Sequence, residues 1–282
     1  SKMKGIPLTA LLGLLITGLY FAMAILAPWI APYGMSEIVG DVWEPSSAEY
    51  WLGTDNLGRD MVARSMVGGR ISLLVAITAM ALSVFLGTTI GVLAGFFKRL
   101  DGVLMRLTDL FLALPVLPLL LVIIMLFRDS LRATFGPEQG IFMLIVFIIG
   151  ITSWMQTARV VRGEVLTIKQ QEFVAAAHSI GTRRRNVIFR HILPNCLSPV
   201  MVAAALGMAV AIITESALSF LGLGFPSDFP TWGRLLYDGK DFINLTPMRV
   251  VGPGVLISLT VISVNFIGDG LRDALDPKLR SR

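Results

Sequence analysis

The chain has 282 residues, of which 55% are hydrophobic and only 15% charged, whereas soluble domains carry about a quarter charged residues. A mean hydropathy of +0.75 places it in a membrane. Its single cysteine, Cys196, excludes an intramolecular disulfide and any cysteine-based metal site.

The first apolar run, 6–30, is long enough to span with some tilt. It ends in bulky residues and Pro28 rather than a small-residue cleavage site, so it reads as a span and not as a cleaved signal. A polar stretch follows at 31–69 and contains the turn-rich segment LGTDNLGRD (52–60). The second span is expected at 71–96. Its Gly87, Gly91 and Gly95 form two overlapping G-x-x-x-G patterns on one face, which lets another helix, of this chain or a partner, approach closely.

A third span is expected at 103–127. Arg106 and Asp109 lie near its start, three residues apart, and are expected to pair. Pro115 and Pro118 fall near its middle, where neighbouring groups re-satisfy the freed carbonyls. The fourth span is expected at 141–158 and the fifth at 197–221, with a basic stretch at 159–195 between them. The fifth carries Glu215, an ionisable group that reads either as part of a pathway or as a hydrogen-bonding tie to a neighbouring helix. A second polar loop, 222–249, holds Trp232 and Tyr237, and a sixth span is expected at 250–267. Trp51, Trp232 and Tyr237 read as interface aromatics or as contacts for an external protein. In the tail, Asp269, Arg272, Asp273 and Asp276 read as a charge-laced helix end. On this reading the chain divides into an N-terminal span with its polar loop (1–68) and a five-span core (69–282).

Six spans put both termini on one side. That side carries Lys2, Lys4, Lys98, Arg99, Arg106, Arg159, Arg162, Lys169, Arg183, Arg184, Arg185, Arg190, Arg272, Lys278, Arg280 and Arg282. The other carries half as many: Arg59, Arg64, Arg70, Arg128, Arg132, Arg234, Lys240 and Arg249. Positive charge accumulates in cytoplasmic loops, so the termini and the basic stretch are expected in the cytoplasm.

Within that stretch, EFVAAAHSIGTRRRNVIFRHILPN (172–195) is a polar and basic island in an apolar chain. Phe173, Val174, Ala177 and Ile180 lie on one helical stripe. Gly181 is placed to end that helix in a left-handed conformation, and Thr182 to cap the next. The second helix then opens with Arg183, Arg184 and Arg185, against the helix dipole. Helix stability does not account for them, so a partner outside the helix is expected to. Pro194 is expected to stop the segment.

Several chemistries are excluded. No G-x-x-x-x-G-K-[ST] loop is present, so the chain is not expected to hydrolyse ATP alone. H-E-x-x-H and G-x-S-x-G are also missing, and His178 and His191, 13 apart, have a poor metal spacing. No catalytic, cofactor or metal residues are expected, and no nucleic-acid partner.

The island resembles the cytoplasmic loop of permease subunits in binding-protein-dependent ABC importers. That family's signature runs E-A-A, three residues, Gly, then about nine residues to I-x-L-P. Ala176, Ala177 and Gly181 match it, with Leu193 and Pro194 in register, while the leading glutamate falls on Ala175. Glu172 lies one turn earlier. Five further segments, 52–73, 105–121, 214–224, 230–236 and 268–278, resemble the C-type subunit of oligopeptide/dipeptide permeases, so the likeness covers nearly the whole chain.

The resemblance implies an all-α integral membrane protein with the type I ABC importer permease fold, six spans and coupling helices between spans four and five. It implies a bacterial inner-membrane subunit that lines a pathway with a second, related permease. Two cytoplasmic ATPases would bind ATP and Mg and dock on Glu172, Ala176, Ala177, Ser179, Gly181, Arg183–Arg185, Leu193 and Pro194. A binding protein would deliver di- or oligopeptides from the other side. Relatives also carry nickel, opines or oligosaccharides, so cargo stays open. A lone ion-coupled carrier, the rival reading, would need paired broken helices and midplane charges.

Overall fold

The computed structural model describes residues 7–275, and these are almost wholly helical. Lys2, Lys4, Asp276, Lys278, Arg280 and Arg282 lie outside the described residues. The long helices are α1 (Leu8–Ile30), α2 (Met61–Phe96), α5 (Pro137–Ile168), α8 (Leu193–Phe220) and α10 (Met248–Leu275). Between α2 and α5 the chain forms α3 (Lys98–Ala113) and α4 (Val116–Phe135), bent by 86° about Leu114–Pro115.

Five helices are long and apolar enough to cross a bilayer, and the bent pair makes six. Packing requires the sixth crossing. Gly87 faces Trp154 and Thr157, Gly91 faces Ala158 and Val161, and Gly95 faces Arg162 and Val165. The numbers rise together, so α2 and α5 run parallel, and the chain must return from Phe96 to Pro137 through α3–α4. The return is broken because Pro115 and Pro118 sit at the start of α4, where the first four amides need no helical acceptor. They do lie near the middle of the third crossing, as expected, but at a break between two helices rather than within the one unbroken helix assumed at 103–127.

α2 and α5 form the most extensive helix pair of the bundle. A Cβ at Gly91 would lie 2.7 Å from both the Ala158 carbonyl oxygen and Val161 Cβ, so only glycine permits this approach. The two overlapping G-x-x-x-G patterns therefore meet this chain's own α5. α1 packs antiparallel on α10, where the Thr17 hydroxyl donates to Ser263 Oγ at 3.0 Å. The N-terminal end of α1 and the C-terminal end of α10 consequently share one end of the bundle.

α2 begins at Met61, ten residues before the expected span, with the Asp60 side chain accepting from the Ala63 N–H at 3.0 Å. Residue 68, at which the sequence reading divides the chain, thus lies inside α2. The early polar residues of α2 are buried because they have partners. The Asp55 carboxylate lies 2.6 Å from Arg59 Nε and 3.2 Å from Arg64 Nε. The Arg64 guanidinium also donates to the carbonyls of Met35 and Ser227. Arg249 donates to the Glu44 carbonyl at 2.7 Å and lies over the Trp43 ring. These groups pin the 31–60 and 222–247 loops together as a cap over one end of the bundle.

Trp232 belongs to that cap and starts α9 (Trp232–Gly239). It is fully buried, its indole donates to the Ser65 carbonyl at 2.9 Å, and its ring packs edge-on against Tyr20. It is therefore neither an interface aromatic nor an external contact. Trp51 is exposed, and Tyr237 is half-buried between Arg234 and Lys240.

Candidate functional site

At the opposite end of the bundle, the basic island is folded onto the ends of α2 and α5. Its first half is α6 (Glu172–Ser179). Val174 and Ala177 turn inward and join Val92, Phe96, Val161, Val165 and Ile168 in a second apolar core. α6 ends at Gly181, with φ of +75°. The Gly181 N–H donates to the His178 carbonyl and the Thr182 N–H to the Ala177 carbonyl, both at 3.0 Å. These two bonds satisfy the last carbonyls of α6, and they need a left-handed residue at position 181.

Thr182 is consumed by this stop and does not cap the next helix. Arg183 takes the capping position without a side-chain bond, and α7 (Arg184–Val187) follows. Pro194 does not end the segment. Residues 184–220 run as one 37-residue helix, with a single π turn at Ile188–Ile192 whose last bond runs from the Leu193 N–H to the Ile188 carbonyl. A proline at 194 lacks the N–H that would reach the Arg190 carbonyl, and its ring would strike that oxygen. The wider turn removes the conflict, and the Asn195 side chain donates to the neighbouring His191 carbonyl at 2.5 Å.

The island therefore has two faces. Val174, Ala177, Val187 and Ile192 are buried against the bundle, and Leu193 is partly so. Glu172, Ala175, Ala176, Ser179, Gly181, Arg183, Arg184, Arg185 and Pro194 are exposed. Of the expected docking residues, Ala177 and Leu193 thus serve the inner face. The apolar stripe is also split: Phe173 is 44% and Ile180 82% exposed, and Phe189 of the π turn is 62% exposed. Phe173 and Ile180 were missed as surface residues because their spacing fits a core stripe, and Phe189 was not singled out. Their signal lay in the arginines alongside, which no core accepts. The arginines diverge too: Arg185 lies over the Phe189 ring at 6.0 Å, while Arg184 lines a hollow beside α3.

A family model described as "Binding-protein-dependent transport system inner membrane component" matches residues 87–281. The chain belongs to this family. It is 37% identical over 273 residues to the oligopeptide transport system permease protein OppC of Bacillus subtilis, covering 96% of this chain and 86% of that one. It is 38% identical to a dipeptide permease protein DppC of Alkalihalophilus pseudofirmus, with coverage of 96% and 86%. Against the di/tripeptide permease protein DppC of Pseudomonas aeruginosa it is 39% identical, with coverage of 96% and 89%. Among solved structures, the inward-facing MetNI methionine ABC transporter matches with a TM-score of 0.58 at 15% identity, covering 77% of this chain and 96% of that one. The fold is that of an ABC importer permease, and this permease is the membrane component of such a system rather than its ATPase.

Two further sites of the permease can now be placed. Glu215 is fully buried where α8 meets α2 and α9. Its carboxyl accepts from Ser219 Oγ at 2.7 Å and lies 3.5 Å from Ser72 Oγ, and Ser72 in turn accepts from the Trp232 N–H at 3.2 Å. Asp109 pairs not with Arg106 but with Arg159 of α5. A spacing of three on one helix was legible, whereas a partner 50 residues away on a packed helix was not.

Proposed function

We propose that the permease is one of two related membrane subunits of an ATP-driven importer for di- or oligopeptides, with both termini in the cytoplasm. The single observation that carries the coupling mechanism is the two-faced island. Its inner face joins the ends of α2 and α5 in one apolar core, while its outer face exposes Phe173, Ile180, Phe189, Arg183 and Arg185, and neither arginine has a carboxylate partner among the described residues. A mixed apolar and cationic outer face fits a groove on a cytoplasmic ATPase that offers carboxylates around an apolar floor. Closure of two such ATPases on ATP and Mg would displace the island. The second core would pass that displacement to α2, α5 and α8, which move as packed rods. The cap at the other end is the face for an extracytoplasmic binding protein. The peptide permeases named above support peptide cargo.

A cysteine at Ser179 tests the docking, because Cys196, the chain's only cysteine, is buried. Cross-linking of Ser179→Cys to a co-expressed ATPase subunit, with transport intact before cross-linking, is the expected result. Intact transport without any cross-link would sink the docking surface. The compounds that copurify with the cognate binding protein decide the cargo.

A further inference from the structure

We infer that the hollow where the end of α2, the start of α3 and the island meet is a binding site for the headgroup of an anionic phospholipid. The hollow, of about 670 Å³, is lined by Lys98, Arg99, Lys169, His178 and Arg184 and by no carboxylate. None of these four lysines and arginines forms an ion pair among the described residues, although Asp101 and Asp109 nearby are paired with Arg162 and Arg159. Lys169 is held in place by donating to the carbonyls of Gly95 at 3.2 Å and Phe96 at 3.1 Å. An ammonium has three donors, so one remains for a ligand. Asp101 is the nearest carboxylate and is already held by Arg162, so the four cations outnumber the negative charge around the hollow and a phosphate would relieve their repulsion.

The surroundings choose a lipid phosphate over a free one. Phe97 and Leu100 form an apolar wall of the hollow. From Leu100 an exposed apolar row runs along α3 through Val103, Leu107, Leu110 and Leu114, at steps of three and four residues. Such a row, on a helix of a membrane-embedded chain, is a track for acyl chains. Its cationic head is this hollow, so headgroup and chains are each met by matching chemistry. Basic pockets at the ends of spanning helices are suited to such headgroups. Lys98, Arg99 and Lys169 take no part in the expected ATPase-docking set, which shares only Arg184 with this hollow, so the test variants leave that set intact.

The importer purified with its own partner subunits, delipidated and titrated with phosphatidylglycerol or phosphatidylcholine, tests this by native mass spectrometry. Phosphatidylglycerol should occupy one site per copy of this chain, and K98Q/R99Q should weaken that binding about thirtyfold, as expected for two basic residues. Lys240→Gln, at the other end, should leave it unchanged, and phosphatidylcholine should bind equally weakly to all. Should K98Q/R99Q fail to assemble, the single variants K98Q and R99Q, each several-fold weaker, decide the matter. Unchanged phosphatidylglycerol binding in these variants would overturn the inference. So would displacement of the lipid by excess inorganic phosphate, which marks a free-phosphate site. Absence of saturable phosphatidylglycerol binding in this assembled importer would likewise overturn it, by showing that protein fills the hollow.

Discussion

Arg162 of α5 holds Asp101 of α3 through both carboxylate oxygens, at 2.5 and 2.7 Å. This forked bond ties the first limb of the broken third span to the helix that leads into the island. Asp101→Asn removes the charge but keeps the shape. It should lower stability by about 1 kcal/mol, since the pair is partly exposed and screened. The exchange D101R with R162D should restore part of that loss. Thermal unfolding in detergent measures both, and no recovery in the exchange would mean that the two residues act separately.

The glycine seam between α2 and α5 predicts a sharp positional contrast. Gly91→Val places methyl groups against the Ala158 carbonyl and Val161, and should cost about 1–3 kcal/mol or prevent assembly. Gly163, on α5 with nothing within 4 Å of a Cβ, should accept alanine with a gain of up to about 1 kcal/mol. Melting temperatures that fail to separate the two variants would contradict the seam.

Reversal of charge at Arg183 and Arg185 should leave the permease folded, because both side chains are exposed. Transport per ATP hydrolysed should then fall by about tenfold or more, as like charges meet across the dock. Ile180→Ser should lower it by a smaller factor. Reconstituted vesicles that report peptide uptake and phosphate release together make the measurement, and unchanged coupling would remove these residues from the dock.

For Glu215, hydrogen bonding to Ser219 and proximity to Ser72 make a structural tie the expected role. Glu215→Gln keeps an acceptor at the same place and should assemble and transport. Glu215→Ala orphans buried hydroxyls, and should cost about 1–3 kcal/mol. An assembled Gln variant without transport would instead assign the carboxylate to the pathway.

Asp60 supplies a pH test. Burial raises its carboxyl above the ordinary 3.8 despite the backbone N–H bonds that it accepts at the start of α2. The folded protein therefore binds this proton more tightly than the unfolded chain. The associated stability is full below the unfolded pKa and declines as pH rises towards the folded value. Asn caps equally well and cannot ionise. The melting temperature of D60N relative to the wild type should thus climb as pH is raised from about 4 to 6. A difference independent of pH would show that Asp60 does not titrate in this way.

The spans were legible because long apolar runs have few other outcomes, and the stop at Gly181 because a left-handed residue there favours glycine. The early start of α2 was not, since Arg64 and Ser65 look like loop residues until Asp55, Ser227 and Trp232 are seen to enclose them. Trp232 misled for the same reason: a tryptophan in a polar loop shows nothing of the helix packed over it. Periodicity in the island marked one apolar stripe, but the bundle covers only the half of it nearest α5. That division depends on where distant segments end, which local spacing does not record.

The helix from Arg184 to Phe220 has 37 residues, or about 55 Å at 1.5 Å per residue, against a hydrocarbon layer of about 30 Å. The rod is therefore about 25 Å longer than the layer it crosses. A tilt about a fulcrum inside the bilayer swings the protruding end through a wide arc, while the end at Glu215 makes a smaller, opposite excursion. Under the proposed coupling, large strokes at the island would in this way be geared down to short, forceful shifts beside the cap.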